Sequence, residues 1–247
     1  MNQYGLIGFP LGHSFSKKYF EEKFLKEAIQ DVAFDLFPIP SIDAFPALMK
    51  NYPDLKGLAV TVPYKKQIIS YLDELDSTTL NIGAVNCIKI QNGKTKGFNT
   101  DVIGFEKMLP PDFDKQYKQA MVFGSGGASA CVQYVLNKLG VAYKLVSRNP
   151  EQLNHDEVCH YDAITKSNVS DYTLLINTTP LGMAPAIDTF PDIPYEGITE
   201  KHLLIDLVYN PEETLFLKKG RAFGANTLNG YQMFTEQAEE NWRIWNS

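Results

Sequence analysis

The amino-acid sequence predicts an α/β protein of two domains, the second built on a doubly wound parallel sheet. Strand-like and helix-like segments alternate along the chain, which is the pattern of βαβ units. Residues 119–146 contain one such unit whole: a strand, a glycine-rich turn, a helix and a second strand. A chain of 247 residues, 44% hydrophobic, suffices for one large domain or two modest ones. The proline-led segment PPDFDKQY at 110–117 reads as a loop or a boundary between them.

Each element follows from local pattern. QYGLIG (3–8) is a short apolar strand, and Pro10 and Gly12 break the loop behind it. Ser16 is a good N-cap for a helix that sets Tyr19, Phe20, Phe24 and Leu25 on one stripe. Residues 33–38 form a second strand, 42–51 a short helix, 55–62 a third strand and 66–75 another helix. Residues 85–90 and 94–98 flank Asn92-Gly93, a strong hairpin signal. A helix follows Asp101. The second domain runs from a strand at 119–123 through the helix that Gly140 stops, to a strand at 141–146. Further strands are expected at 172–176, 203–208 and near 225–228. The tail, 230–245, is a helix presenting Met233, Phe234, Ala238, Trp242 and Trp245 to a core. Pattern alone leaves open where that helix packs.

Composition excludes several functions. A net charge of −6 disfavours a nucleic-acid partner. No apolar run approaches the roughly 18 residues of a membrane span. The first ten residues do not read as a signal peptide. Cys87, Cys131 and Cys159 are widely spaced and read as reduced thiols, so a cytoplasmic location is expected. Cys159, His160 and nearby His155 lack a second cluster to complete a zinc site, so no metal is expected.

Two stretches point to chemistry. GLAVTVPYKK (57–66) ends an apolar strand in Lys65 and Lys66. A buried end seldom tolerates unpaired charge. Either the strand runs into water, or one lysine acts in a cleft. Gly124-Ser125-Gly126-Gly127 lies between a strand and a helix, where backbone can approach a pyrophosphate and a helix N-terminus can face its charge. The third fingerprint glycine is replaced by Ser129. The next strand ends in Ser147-Arg148-Asn149 rather than a carboxylate, which favours NADP over NAD through a guanidinium on the 2′-phosphate. The alternative is a solvated Arg148, with Glu151 as the ribose carboxylate.

Ser14, Ser16, Thr61, Asn86 and Asp101 stand at the ends of first-domain strands. Such ends converge on one crevice in an open α/β sheet. The set would suit a small polyol acid, with Lys65 and Asp101 as an acid/base pair. Each also has a plain structural reading: helix cap for Ser16 and Asp101, strand residue for Thr61, turn residue for Asn86. Lys66 reads as solvated.

The chain resembles the shikimate dehydrogenase family over nearly its whole length. The matching pieces are GFPLGHSFS, GLAVTVPYK, GAVNC, GFNTD, GSGGAS, SRN, NTTPLGM, DLVYNP and NGYQMFTEQA, in the family's order. The resemblance implies NADP-dependent, reversible reduction of 3-dehydroshikimate to shikimate in aromatic amino-acid biosynthesis. It implies a substrate domain of residues 1–101 plus 230–247, the tail helix returning to it, and a Rossmann-type NADP-binding domain of residues 102–229. By analogy, Ser14 and Ser16 hold the substrate carboxylate, Thr61, Asn86 and Gln237 contact the substrate, and Tyr209 lies near it. Lys65 and Asp101 are the catalytic pair. Gly124, Gly126, Gly127 and Ala128 cradle the pyrophosphate, and Ser147, Arg148 and Asn149 face the adenosine phosphate. Thr178, Met183, Gly230 and Met233 lie near the cofactor. Departures from the family pattern include Ala59, Cys87 and Thr179-Pro180. The alternative activity is a quinate/shikimate dehydrogenase using NAD or NADP; two serines in the first loop favour shikimate. A monomer or homodimer is expected.

Overall fold

Two six-stranded sheets organise the protein, described by a computed structural model over residues 1–12, 14–153 and 157–247. They belong to two units, Met1–Thr100 with Gln237–Ser247, and Asp101–Glu236.

The first unit opens with β1 (Asn2–Gly8), buried from Tyr4 onward. Helix α1 (Phe15–Lys26) leads to β2 (Val32–Pro38), parallel to β1. Helix α2 (Phe45–Asn51) leads to β3 (Leu55–Val60), parallel to β1 on its other side. Then follow β4 (Glu74–Leu75), α3 (Ser77–Ile82), β5 (Cys87–Gln91) and β6 (Lys94–Phe98). The sheet order is β2-β1-β3-β5-β6-β4, with β5 antiparallel to both neighbours. The first sheet is therefore mixed. Asn92 and Gly93 both have positive φ (53° and 74°), the two-residue turn whose twist matches a hairpin. Strand alternation sends Ile7, Leu58 and Val60 to one core and Tyr4, Leu6 and Ala59 to the other, where they meet Phe20, Phe34 and Trp245.

Four local expectations are corrected. Ser14, not Ser16, caps α1: its Oγ accepts from the Ser16 backbone N–H at 3.3 Å. On that helix Phe20 and Phe24 are buried, whereas Leu25 is 85% exposed. The helix expected over 66–75 is a 3-10 turn, Gln67–Tyr71, followed by β4. The Asp73 carboxylate accepts from the Thr95 backbone N–H (2.7 Å) and hydroxyl (2.8 Å), drawing the segment to the sheet edge. The helix expected over 42–51 splits into a 3-10 turn, Ile42–Ala44, and α2. Pro46 lies in the first turn of α2, where its missing N–H costs nothing.

The second unit begins with α4 (Asp101–Met108) and α5 (Phe113–Gln116), the latter where a loop was expected. Next come β7 (Gln119–Phe123), α6 (Gly127–Lys138), β8 (Ala142–Val146), β9 (Val158–Cys159) and α7 (Lys166–Asp171). The series ends with β10 (Leu174–Asn177), β11 (Leu203–Asp206), α8 (Leu215–Ala222) and β12 (Asn226–Asn229). All six strands are parallel, in the order β12-β11-β10-β7-β8-β9, so the chain winds outward both ways from β7. That is the doubly wound sheet the sequence predicts. β10 and β11 are buried at every residue, as central parallel strands are. Helix α9 (Tyr231–Trp245) begins in the second unit and ends in the first. No described helix is long and apolar enough to cross a membrane.

Candidate functional site

The first unit reverses its winding between β1 and β3, and ligand crevices of open sheets form beyond the strand ends at such a point. The loops leaving these strands are tied together. The Thr61 N–H donates to the Ile7 carbonyl (2.9 Å), and the Phe9 N–H to the Val62 carbonyl (3.1 Å). Gly8 allows this approach: a Cβ there would collide with the Thr61 methyl and press on Leu11. Ser14 and Ser16 sit half-buried at the start of α1, behind the first loop, and Thr61 is half-buried on the second.

Lys65 follows in the same loop. Its carbonyl accepts from the Val85 N–H at 2.7 Å, and the preceding Tyr64 is buried with its hydroxyl on the Ile39 carbonyl. The lysine question raised by the sequence thus resolves into two different side chains: Lys66 is exposed and Lys65 half-buried. Asn86 lies one residue beyond Val85, its carbonyl accepting from the Val60 N–H at 2.8 Å.

Asn86 is not at a solvated loop tip. It is 3% exposed and centres a polar network. Its Oδ1 accepts from the Thr100 N–H (2.7 Å), while its Nδ2 donates to the Thr100 hydroxyl (3.0 Å) and to Gln237 Oε1 (3.4 Å). Asn241 closes the circuit, accepting from the Thr100 hydroxyl (2.7 Å) and donating to Gln237 (3.2 Å). Buried polar groups persist only when so satisfied. Neither Thr100 nor Asn241 was singled out from sequence. Thr100 stood in the GFNTD piece; Asn241 gave no signal beyond a polar residue on an apolar helix face. Asp101, next along the chain, opens α4 and is 6% exposed.

In the second unit, the turn after β7 is built on glycine and a buried serine. Gly124 has φ +108°, and a Cβ there would stand 2.8 Å from the Thr178 hydroxyl. A Cβ on Gly126 would meet nothing within 4 Å, so that face is open backbone. Gly126 caps α6 with no side-chain hydrogen bond, leaving its first N–H groups for an anion. Ser129, at the fingerprint's third position, is fully buried, its hydroxyl donating to the Gly124 carbonyl at 2.8 Å. It therefore braces the turn rather than merely fitting there. Gly127 and Ala128 form the first turn of α6.

At the end of β8, the Ser147 hydroxyl accepts from the Asn149 N–H (3.1 Å), and Arg148 and Asn149 are exposed. Burial pushes the nearby Tyr161 hydroxyl up to about 12, the Arg148 guanidinium opposing it. Glu151, the alternative ribose ligand, lies on the exposed 3-10 turn Pro150–Gln152.

The Thr178 hydroxyl is committed to the Phe123 carbonyl (2.6 Å). Met183 is 45% exposed, and Met233 is buried on α9. Gly230 packs against the Leu207 carbonyl so closely that no Cβ fits. Tyr209 stacks on Phe234 (4.9 Å between centroids), and burial pushes its hydroxyl up to about 12. Asp206, overlooked in the sequence although it opens DLVYNP, is fully buried at the end of β11, and burial pushes its carboxyl up to about 6. Among the described residues no group of three or more His, Cys, Asp or Glu is placed to hold a metal ion; His155 lies outside them.

A family model described as the shikimate dehydrogenase substrate binding domain matches residues 6–88. A shikimate dehydrogenase (NADP(+)) of Halothermothrix orenii is 37% identical over 269 residues, 98% of this chain and 89% of its own length. The chain belongs to the shikimate dehydrogenase family. Solved structures of shikimate dehydrogenases share its fold. A chorismate mutase/shikimate 5-dehydrogenase fusion protein of Clostridium acetobutylicum is 35% identical with a TM-score of 0.86, covering 100% of this chain and 91% of that one. The shikimate 5-dehydrogenase of Thermus thermophilus, in complex with NADP(H) and shikimate, is 26% identical with a TM-score of 0.86 over 99% and 93% of the two chains.

Proposed function

We propose that the protein reversibly reduces 3-dehydroshikimate to shikimate with NADPH, a step of aromatic amino-acid biosynthesis. The observation that carries this reading is the set of polar groups near the first sheet's switch point: two serines, a threonine, an ammonium and two amides, on hydrogen-bonded loops and on helices α1 and α9. A carboxylate suits the Ser14 and Ser16 hydroxyls, and ring hydroxyls suit Thr61, Asn86 and Gln237. Residues 1–101 with 230–247 form the substrate domain in this reading, supported by the family match, and 102–229 the NADP domain. Tyr209 borders the substrate.

The turn Gly124, Gly126, Gly127 and Ala128, with its open face at Gly126, fits a pyrophosphate, and Ser147, Arg148 and Asn149 fit an adenosine phosphate. Thr178, Met183, Gly230 and Met233 border the nicotinamide half. NADPH, when bound, supplies a hydride to the substrate carbonyl carbon. Lys65 delivers a proton to the carbonyl oxygen, so the ketone becomes the secondary alcohol, and takes it back in the reverse direction. Asp101, one residue beyond the Asn86–Thr100 pair, orients Lys65 and holds substrate.

The test follows reduced-nicotinamide absorbance with shikimate, offering NADP and NAD separately. Shikimate-dependent reduction of NADP is expected, and its absence would remove the reading. A higher rate with quinate than with shikimate at equal concentration would select the alternative activity. Arg148→Ala is expected to raise the KM for NADP about tenfold or more while leaving that for NAD nearly unchanged, as loss of a charged hydrogen-bond pair should. An equal effect on both cofactors would assign the arginine to solvent. The reading places the enzyme in the cytoplasm as a monomer or homodimer. Its three unbridged cysteines are compatible with that compartment.

A further inference from the structure

Asp206 takes no part in the proton or hydride transfer described above, yet it is fully buried and accepts three hydrogen bonds. Its Oδ1 receives the Asn177 amide (2.9 Å) and the Val208 backbone N–H (3.0 Å), and its Oδ2 receives the Thr214 hydroxyl (2.5 Å). Each donor controls a different piece of backbone. Asn177 ends β10; its Nδ2 also reaches the Leu181 carbonyl (3.2 Å), and its Oδ1 accepts from the Thr179 N–H (3.0 Å) and hydroxyl (2.6 Å). Those bonds shape the 178–183 loop, whose first residue abuts Gly124. Val208 begins the turn that carries Tyr209. Thr214 caps α8 and packs beneath Gly182, the other end of the loop.

We propose that Asp206 is a positioning residue that locks the 178–183 loop against the glycine turn, and so sets the nicotinamide half of the cofactor. The inference rests on the shikimate dehydrogenase reading for its kinetic consequence, though not for its structural one. A carboxylate is suited to the task because it accepts from three donors at once without needing to donate. Burial raises its pKa, and the three donors counter that by favouring the charged form.

Asp206→Ala is expected to raise the KM for NADP about tenfold and lower kcat, with the KM for shikimate nearly unchanged. General destabilisation would not separate the two KM values. Asp206→Asn keeps an acceptor for Asn177 and Val208, should fold where the alanine variant does not, and is expected to recover part of the loss. Hydrogen exchange of the 178–183 amides, without cofactor or substrate, should quicken in the alanine variant or, failing its folding, in the asparagine variant. That readout separates the two ideas: a wild-type protein inactive on shikimate removes the function, whereas unchanged exchange removes the lock. Wild-type kinetics in both variants, or equal rises in both KM values, would also overturn it.

Discussion

Replacing Lys65 with alanine is expected to lower turnover by about two to four orders of magnitude while leaving shikimate affinity within a few-fold of wild type. Positioned proton transfer contributes about 10²–10⁴ to a rate, and no other ammonium lies on the loop except the exposed Lys66. The substitution should not disturb the scaffold. The backbone at position 65 is fixed by its carbonyl on Val85, and the loop is anchored by buried Tyr64. Ser14, Ser16, Thr61 and Asn86 should keep their positions, so the binding proposed for them should survive. Steady-state kcat together with shikimate binding by calorimetry checks this. Normal turnover in the variant would take the proton transfer away from Lys65. Loss of binding with turnover retained at saturation would make it a substrate anchor instead.

The sequence exposed what local chemistry controls. The Asn92-Gly93 hairpin, the glycine turn that opens α6 and the stop at Gly140 each depend on residues within a few positions of one another. Contacts distant in sequence were hidden. Residues 66–75 carry a helix-compatible pattern, but Asp73 bonds Thr95, 22 positions on, and the end of the segment joins the sheet. Asn86 looked like a loop residue because its partners, Thr100 and Gln237, lie 14 and 151 positions away. Short helices escaped for a different reason. α7 spans one or two turns, too few for a periodic stripe, and in the structure a Thr165–Asn168 capping box holds its start. The cap of α1 was misplaced by two residues because Ser14 and Ser16 are equally good caps on paper; the backbone selects Ser14, with φ −73° and ψ 122°. The lysine and serine positions stood out through the family motifs. The Asp206 lock did not, since a carboxylate after an apolar strand ordinarily reads as the strand's exit to water.

Trp245→Ala is expected to produce the largest loss of stability, about 3–5 kcal/mol, or a fall in Tm of roughly 10 °C. The indole fills the space over Gly57, where no Cβ could stand beside it. It stacks on Tyr4 (5.2 Å, 26°) and lies 5.5 Å from Phe20, and its Nε1 donates to the Ile88 carbonyl at 3.0 Å. Alanine would leave a cavity and remove the indole's hydrogen bond to the Ile88 carbonyl. The consequence extends to binding, because α9 carries Gln237 two turns and Asn241 one turn before the indole. Loosening that end should raise the KM for shikimate more than that for NADP. Trp242→Ala provides the comparison: its ring packs edge-on to Tyr4 at 5.1 Å but is only half-buried, so the loss should be smaller. Thermal melts of the two variants decide the matter. If Trp242→Ala proved the more damaging, or if Trp245→Ala melted like wild type, the indole would not be what seats α9 on the first sheet.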